Sequence, residues 1–393
     1  MGETRELWSE LASERERCPV TKLADMNATR VTSYAGVKQL LRDTASFSNR
    51  FGTVDPGDEE LPRDDQILAF ADPPRHGRQR KLLVAALSAS RVEHLRSSMQ
   101  ATVDRLMHTI VAGDRTEFGL VAELASPFPA HVTAELMGVP HELRDKFVHF
   151  SHLAELASGM PGVYDEELRE WSDIIEELVR ERRAAGPEAN DDLITTMCFA
   201  EVDGEHLSER EVAQMVVLVN EAGNTTTTTL ITNIAYALDE FPAQKVLFLA
   251  DIDELVESVI EEGLRYDGPI QGLGRKALCP ADLAGYHIPK GEKVFGSYAA
   301  ANHDPDVYDR PDEFVVGRDW RQTPSHMGFG HGIHHCLGAN VARMEAKVAL
   351  TSLYKRLPGL RVKPGFEPVA VPGQIFRGWT ELQMCFDRPG AEA

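Results

Sequence analysis

Between Ser208 and Pro242 the chain holds one long helical pattern, LSEREVAQMVVLVNEAGNTTTTTLITNIAYALDEFP. Ser208 followed three residues later by Glu211 is a capping box, and Pro242 marks the far end. About 34 residues lie between them, hence roughly 50 Å of helix. A rod that long crosses a whole domain, so the rest of the chain has to be arranged around it. Its middle runs against helix propensity, because Gly223, Asn224 and the threonine run from Thr225 onward are poor helix formers. An apolar helix with a weak, polar centre points to something accommodated there.

The surrounding pattern is mostly helical. RVEHLRSSMQATVDRLMHTIV, DEELREWSDIIEELVRERRAA and LGANVARMEAKVALTSLYKRL carry apolar residues at helical spacing. Around GRKALCPADLAGYHIPKGEKVFGSYAAAN the rhythm changes to short strands punctuated by Gly and Pro. VDPGDEELPRDD reads as an acidic surface loop. No repeat and no clean linker interrupts the 393 residues. We therefore expect one large domain over 1–393, mainly α with a small β region, long enough to enclose a sizeable ligand.

Net charge is −21, which argues against nucleic acid as the main partner and favours a cytoplasmic setting. The N-terminal stretch lacks an apolar signal region, and Glu6 stands where a myristoylation signal wants Ser or Thr. No run approaches the length of apolar sequence that spans a bilayer, so no membrane partner is expected. Cys18, Cys198, Cys279, Cys336 and Cys385 are scattered without a CxxC, which is no disulfide framework and no Cys-rich metal site.

FGHGIHHCLG, residues 329–338, is the densest chemical feature. Its His331, His334, His335 and Cys336 are all zinc-ligand types, although adjacent residues rarely converge on one tetrahedral ion. A Gly-rich surface turn is a second reading. A third is a single thiolate presented on a turn under a flat cofactor. Glycines let backbone approach closely, and Cys336 directly precedes a helix whose N-terminus favours a negative sulfur. One cysteine supplied in this way suits an axial haem ligand.

The stretch resembles the haem-binding loop of the cytochrome P-450 superfamily, Phe-Gly-x-Gly-x-His-x-Cys-x-Gly, with every fixed position filled. The resemblance implies the P-450 fold, a helical domain with a long central helix over haem b (iron protoporphyrin IX). It makes Cys336 the metal-bound proximal thiolate, with Phe329 near the sulfur, Gly338 after it and His334 on a haem propionate. Further matches follow in order. ADPPRHGRQRKLL supplies His76 and Arg80, and GLGRKA supplies Arg275, all toward the propionates. EEGLRYDGP places Glu262 and Arg265 on one helical face; alone such a pair is worth roughly 0.2–0.5 kcal/mol. The family joins it to an arginine matched by Arg318 in PDEFVVGR, a buried structural network.

In the long helix the family's Ala/Gly-Gly-x-Asp/Glu-Thr reads Ala222-Gly223-Asn224-Thr225-Thr226. Gly223 leaves room for a diatomic ligand, and Thr226 can bond the carbonyl of Ala222. The resemblance gives Thr226 a role in proton delivery. The usual acid is Thr225, so ordinary delivery is in question. Glu221, one turn earlier, is expected either to supply the proton path or to anchor a polar group of the substrate.

The implied activity is a monooxygenase using O2 and electrons from a ferredoxin and its reductase on a small organic substrate, the protein being a monomer. A peroxide-driven oxygenase, a nitric oxide reductase and a non-catalytic haem sensor remain alternatives. Arg78, Lys81, Arg343 and Lys347 flank the cysteine-side motifs as a docking patch. The pocket is expected from residues 51–68, 158–164 and 269–273 (Ile270, Gln271 and Leu273), from Leu218 on the long helix, and from Ile375 and Phe376. It suits a mid-sized, largely apolar molecule.

Overall fold

The computed structural model describes residues 2–23, 27–53, 56–84, 87–159, 165–190, 192–202, 204–373 and 375–388. Helices dominate them. In chain order they are α1 (Gly2–Arg17), α2 (Tyr34–Arg42), α3 (Arg75–Val84), α4 (Ala89–Ile110), α5 (Pro127–Met137), α6 (Arg144–Gly159) and α7 (Asp165–Ala185). There follow α8 (Leu193–Phe199), α9 (Glu209–Glu240), α10 (Pro242–Ala250), α11 (Ile252–Tyr266), α12 (Tyr298–Asn302) and α13 (Ala339–Arg356).

α9 is the long helix, 32 residues without a break through the threonine run. The Ser208 hydroxyl accepts from the Glu211 N–H, and the Glu211 carboxylate accepts from the Ser208 N–H. These bonds satisfy donors that a helix start leaves orphaned. α5, α6, α7, α11 and α13 pack around it. Leu230, Ile231, Ile234 and Leu238 of α9 share one core with Val256, Val259 and Ile260 of α11 and with Leu350 and Leu353 of α13. Burying each such side chain stabilises by about 1.5–3 kcal/mol. The helices meet closely at Gly263, where an added Cβ would lie 2.3 Å from Ile234 Cγ1.

The β region is a five-stranded sheet in the order Val20–Leu23, Ala28–Val31, Lys293–Ser297, Gly272–Ala277, Phe47–Ser48. Ala28–Val31 and Lys293–Ser297 run parallel; the other neighbours are antiparallel. Strands were expected only in the later region. The sheet also recruits three strands from the first fifty residues, a pairing that local pattern does not reveal. Val31, Val37, Leu40, Phe47 and Val294 form its core with α2. Among the described residues no helix is long and apolar enough to cross a membrane.

Candidate functional site

The loop 329–338 is shaped by its glycines. Gly330 and Gly332 take φ of 67° and 74°, where a Cβ is strained. At Gly332 it would also meet the Leu41 carbonyl oxygen at 2.5 Å. The Cys336 N–H donates to the Phe329 carbonyl at 2.9 Å and closes the turn. Cys336 therefore stands just ahead of α13, with the Gly338 and Ala339 N–H groups directed at its sulfur. Burial pushes the thiol up, while these N–H groups and the charges of Arg80 and Arg343 pull it down.

Cys336 opens onto an interior cavity of about 300 Å3. α9 forms the facing wall through Leu218, Val219, Ala222, Gly223, Thr226 and Thr227. The Thr226 hydroxyl donates to the Ala222 carbonyl at 2.6 Å, one turn back along the helix. Glu345 of α13 also reaches the cavity. It is 1% exposed, shares a hydrogen bond with Thr227 and leaves its Oε1 without a partner. Burial raises its carboxyl well above the ordinary range. Sequence reading missed Glu345, whose only signal is one acid on a helix.

One side of the cavity gathers cations and histidines. α3 supplies His76 and Arg80, the strand Gly272–Ala277 supplies Arg275, and the cysteine loop supplies His334. The His76 and His334 rings stand 4.2 Å apart. Burial, helped by neighbouring positive charge, pushes His76 down to about 4 and His334 down to about 2. His334 Nε2 is enclosed without a hydrogen-bond partner. Arg275 is buried against Tyr298, and among the described residues no carboxylate pairs with Arg80. Two guanidiniums and an unpartnered imidazole nitrogen around one cavity suit a group with two carboxylates.

Beside the loop, Glu262 and Arg265 of α11 are 0% and 1% exposed. Arg265 Nη2 and Nε donate to the two Glu262 oxygens at 2.7 and 3.0 Å. Arg318 Nε donates to the same carboxylate at 2.9 Å. Spare Arg265 donors reach the carbonyls of Asn302, Pro311 and Glu313. The pair that sequence places on one face thus becomes a buried, hydrogen-bonded triad.

Residues 249–358 match the family profile described as Cytochrome P450. Cytochrome P450 107B1 of Saccharopolyspora erythraea is 34% identical over 95% of this chain and 93% of its own. The chain belongs to the cytochrome P450 family. A further relative of this P450 is the cytochrome P450 monooxygenase PikC of Streptomyces venezuelae, 36% identical over 92% of this chain and 86% of its own. Among solved structures, the post-tailoring hydroxylase HmtN of himastatin biosynthesis superposes with a TM-score of 0.86 at 29% identity. That superposition covers 98% of this chain and 97% of the other. The P450 fold is a haem-binding one, and the histidines, arginines and Cys336 around the cavity fit that group.

Not every expected residue of this P450 faces the cavity. Ile270, Leu273 and Leu218 line it. Gln271 does not: its side chain donates to the Gly268 carbonyl at 2.8 Å. Ile375, Phe376, Thr225 and Glu221 also lie outside the lining, Thr225 being buried in the helix packing. Residues 160–164, part of one expected pocket segment, lie outside the described residues. Of the expected docking cations, Arg343 is bound to Glu261 and Lys347 to Glu257. Among the described residues no three His, Cys, Asp or Glu side chains converge to hold a metal ion in the manner of a zinc site.

Proposed function

We propose that residues 1–393 form one haem-thiolate unit that inserts one oxygen atom from O2 into a mid-sized, largely apolar organic substrate. Electrons come from a ferredoxin and its reductase. The observation that carries this reading is Cys336 at the start of α13, opening onto a cavity ringed by His76, Arg80, Arg275 and His334. The haem supplies O2 activation, favoured by electron release from a thiolate ligand.

Each residue then has a stated task. Cys336 would hold the haem iron through its sulfur; burial raises the thiol, and the Gly338 and Ala339 N–H groups at the start of α13 oppose that by favouring the anion. His76, Arg80, Arg275 and His334 hold the propionates, and Phe329 and Gly338 shape the bed around the sulfur. Ala222 and Gly223 would leave room in the cavity for the haem and O2, since neither carries a side chain beyond Cβ. Thr226 releases its bond to the Ala222 carbonyl to hold or pass a proton, with Thr225 beside it in the chain and Glu221 one turn before Thr225 as further polar groups of that stretch. Leu218, Ile270 and Leu273 pack on the apolar body of the substrate, with Ile375, Phe376 and Gln271 fixing the backbone around Ile270.

Thr225 in place of a carboxylate favours one rival, in which peroxide supplies both oxygen and electrons. Haem-loaded protein given ferredoxin, reductase and NADPH is expected to oxidise a bound organic probe. Product from peroxide alone, with none from the electron chain, would contradict the monooxygenase reading.

A further inference from the structure

We infer that Arg343 is a positioning residue for the cysteine ligand. Pinned by Glu261 over the Phe329 ring, its charge tempers how strongly Cys336 donates electrons to the haem iron and so makes the iron easier to reduce. The inference rests on the haem-thiolate reading above and gives a cation expected at a docking surface an inward task.

Arg343 stands one turn into α13, which packs against α11. Its Nε and Nη2 donate to the two oxygens of Glu261 on α11 at 2.6 and 2.9 Å, a bidentate pair. A second donor fixes the same carboxylate. The Gly328 N–H donates to His326 Nδ1 at 3.1 Å, so the ring proton sits on Nε2, which donates to Glu261 Oε2 at 3.0 Å. His326 itself is buried, with the Trp320 ring edge-on to it at 5.6 Å. Glu261 is thus clamped by His326 and holds the planar guanidinium in one orientation. That orientation sets the guanidinium carbon over the Phe329 ring, 4.5 Å from its centroid, well within the reach of a cation–π contact.

Phe329 is the link to the sulfur. Its carbonyl accepts the Cys336 N–H at 2.9 Å, and both residues line the cavity. Arg343 does not line it; it borders a groove between α4, α11 and α13 instead. The aromatic ring therefore stands between the guanidinium and the space that Cys336 faces. With a ring in place of water, the charge is weakly screened. The charges of Arg343 and Cys336 accordingly favour one another's ionised forms. Arg343 is the member of the ion pair that touches Phe329, so the positive end is turned to the cysteine loop. A thiolate-bound haem gains one negative charge on reduction, and a positive charge fixed nearby favours that state. The bidentate fork keeps the cation on the ring, which a flexible ammonium does less well.

The test compares haem-loaded wild type, Arg343→Gln, Arg343→Lys and the double variant Glu261→Gln/Arg343→Gln, without substrate at neutral pH. Reduction potentials come from spectroelectrochemical titration, and the carbon monoxide stretch of the reduced proteins from infrared spectra. Arg343→Gln should move the reduction equilibrium at least threefold toward the oxidised form, a fall of roughly 28 mV for one electron. Its carbon monoxide stretch should fall as well, because the sulfur then donates more strongly. Arg343→Lys keeps the charge and should lose less than half as much potential. The double variant leaves no buried charge unpaired and should still lie below wild type, which keeps the test open where Arg343→Gln fails to fold. A smaller or upward shift in Arg343→Gln overturns the inference, as does a stretch that stays or rises. So does a Lys variant that loses half or more of the Gln shift, because packing and not charge would then be responsible. A double variant at or above the wild-type potential overturns it too. A thiolate-type carbon monoxide band in wild type confines any such result to Arg343, whereas its absence refutes the haem-thiolate reading and this inference with it.

Discussion

Glu262 holds two guanidinium groups where water does not reach, and the cost of removing it follows from that. Glu262→Gln keeps the shape but leaves Arg265 and Arg318 without a counter-charge. Breaking a buried pair in this way costs about 3–5 kcal/mol. Denaturant unfolding of the variant should show that loss, accompanied by poor haem retention; a change under 1 kcal/mol would deny the triad its structural role. Its neighbour Glu261 gives a prediction in pH. Burial alone would push its carboxyl up, but bonds from Arg343 and His326 outweigh this and bring it down from 4.5 to about 2. A folded-state value below the ordinary one stabilises above pH 4.5 and is lost as pH falls toward 2. Glu261→Gln should therefore cost about 3 kcal/mol at neutral pH and flatten the acid limb of the stability curve between those values. Residues of this kind differ in how far sequence exposes them. Glu262 and Arg265 were legible through the family resemblance, since their three-residue spacing alone also fits an ordinary surface pair. Glu345, equally buried, was not, since a single acid in a helical pattern carries no signal of what it meets.

α9 was legible almost to the residue. A capping box opens it and a proline closes it, and both act through neighbours in the chain. α7 likewise follows its charged, periodic segment from Asp165 to Ala185. The sheet was only half legible, because Ala28–Val31 finds its parallel partner at Lys293–Ser297, across most of the sequence. The contact between α9 and α11 was invisible for the same reason. Gly263 sits in an ordinary helical pattern, yet its bare Cα is what lets Ile234 approach. Gly263→Ala should force apart the helix that carries Thr226 and the one that carries Glu262. Overpacking of this kind costs typically 1–3 kcal/mol. Thermal unfolding of the holoprotein should register it, and a neutral or stabilising result would mean that Ile234 turns aside freely.

At the scale of the molecule, the fold brings segments from every part of the chain to one cavity: α3 from the early chain, α9 from the middle, a strand end and the cysteine loop from the last third. The cysteine loop was legible because its glycines and histidines have no ordinary packing use. The charge balance of the surface was less so. Net charge of −21 made exposed cations stand out in the sequence, but the fold pairs Arg343 and Lys347 with glutamates of α11. Any acidic electron donor must then meet these cations already partnered, and added salt should weaken docking less than four free cations would imply. All of this depends on the sulfur of Cys336 as the ligand of a haem iron. The most direct test is the absorption spectrum of the reduced carbon monoxide complex of the haem-loaded protein and of Cys336→Ser. The account predicts a thiolate-type Soret band in wild type and its loss in the variant; a wild type without that band, or a Ser variant that keeps it, would contradict it.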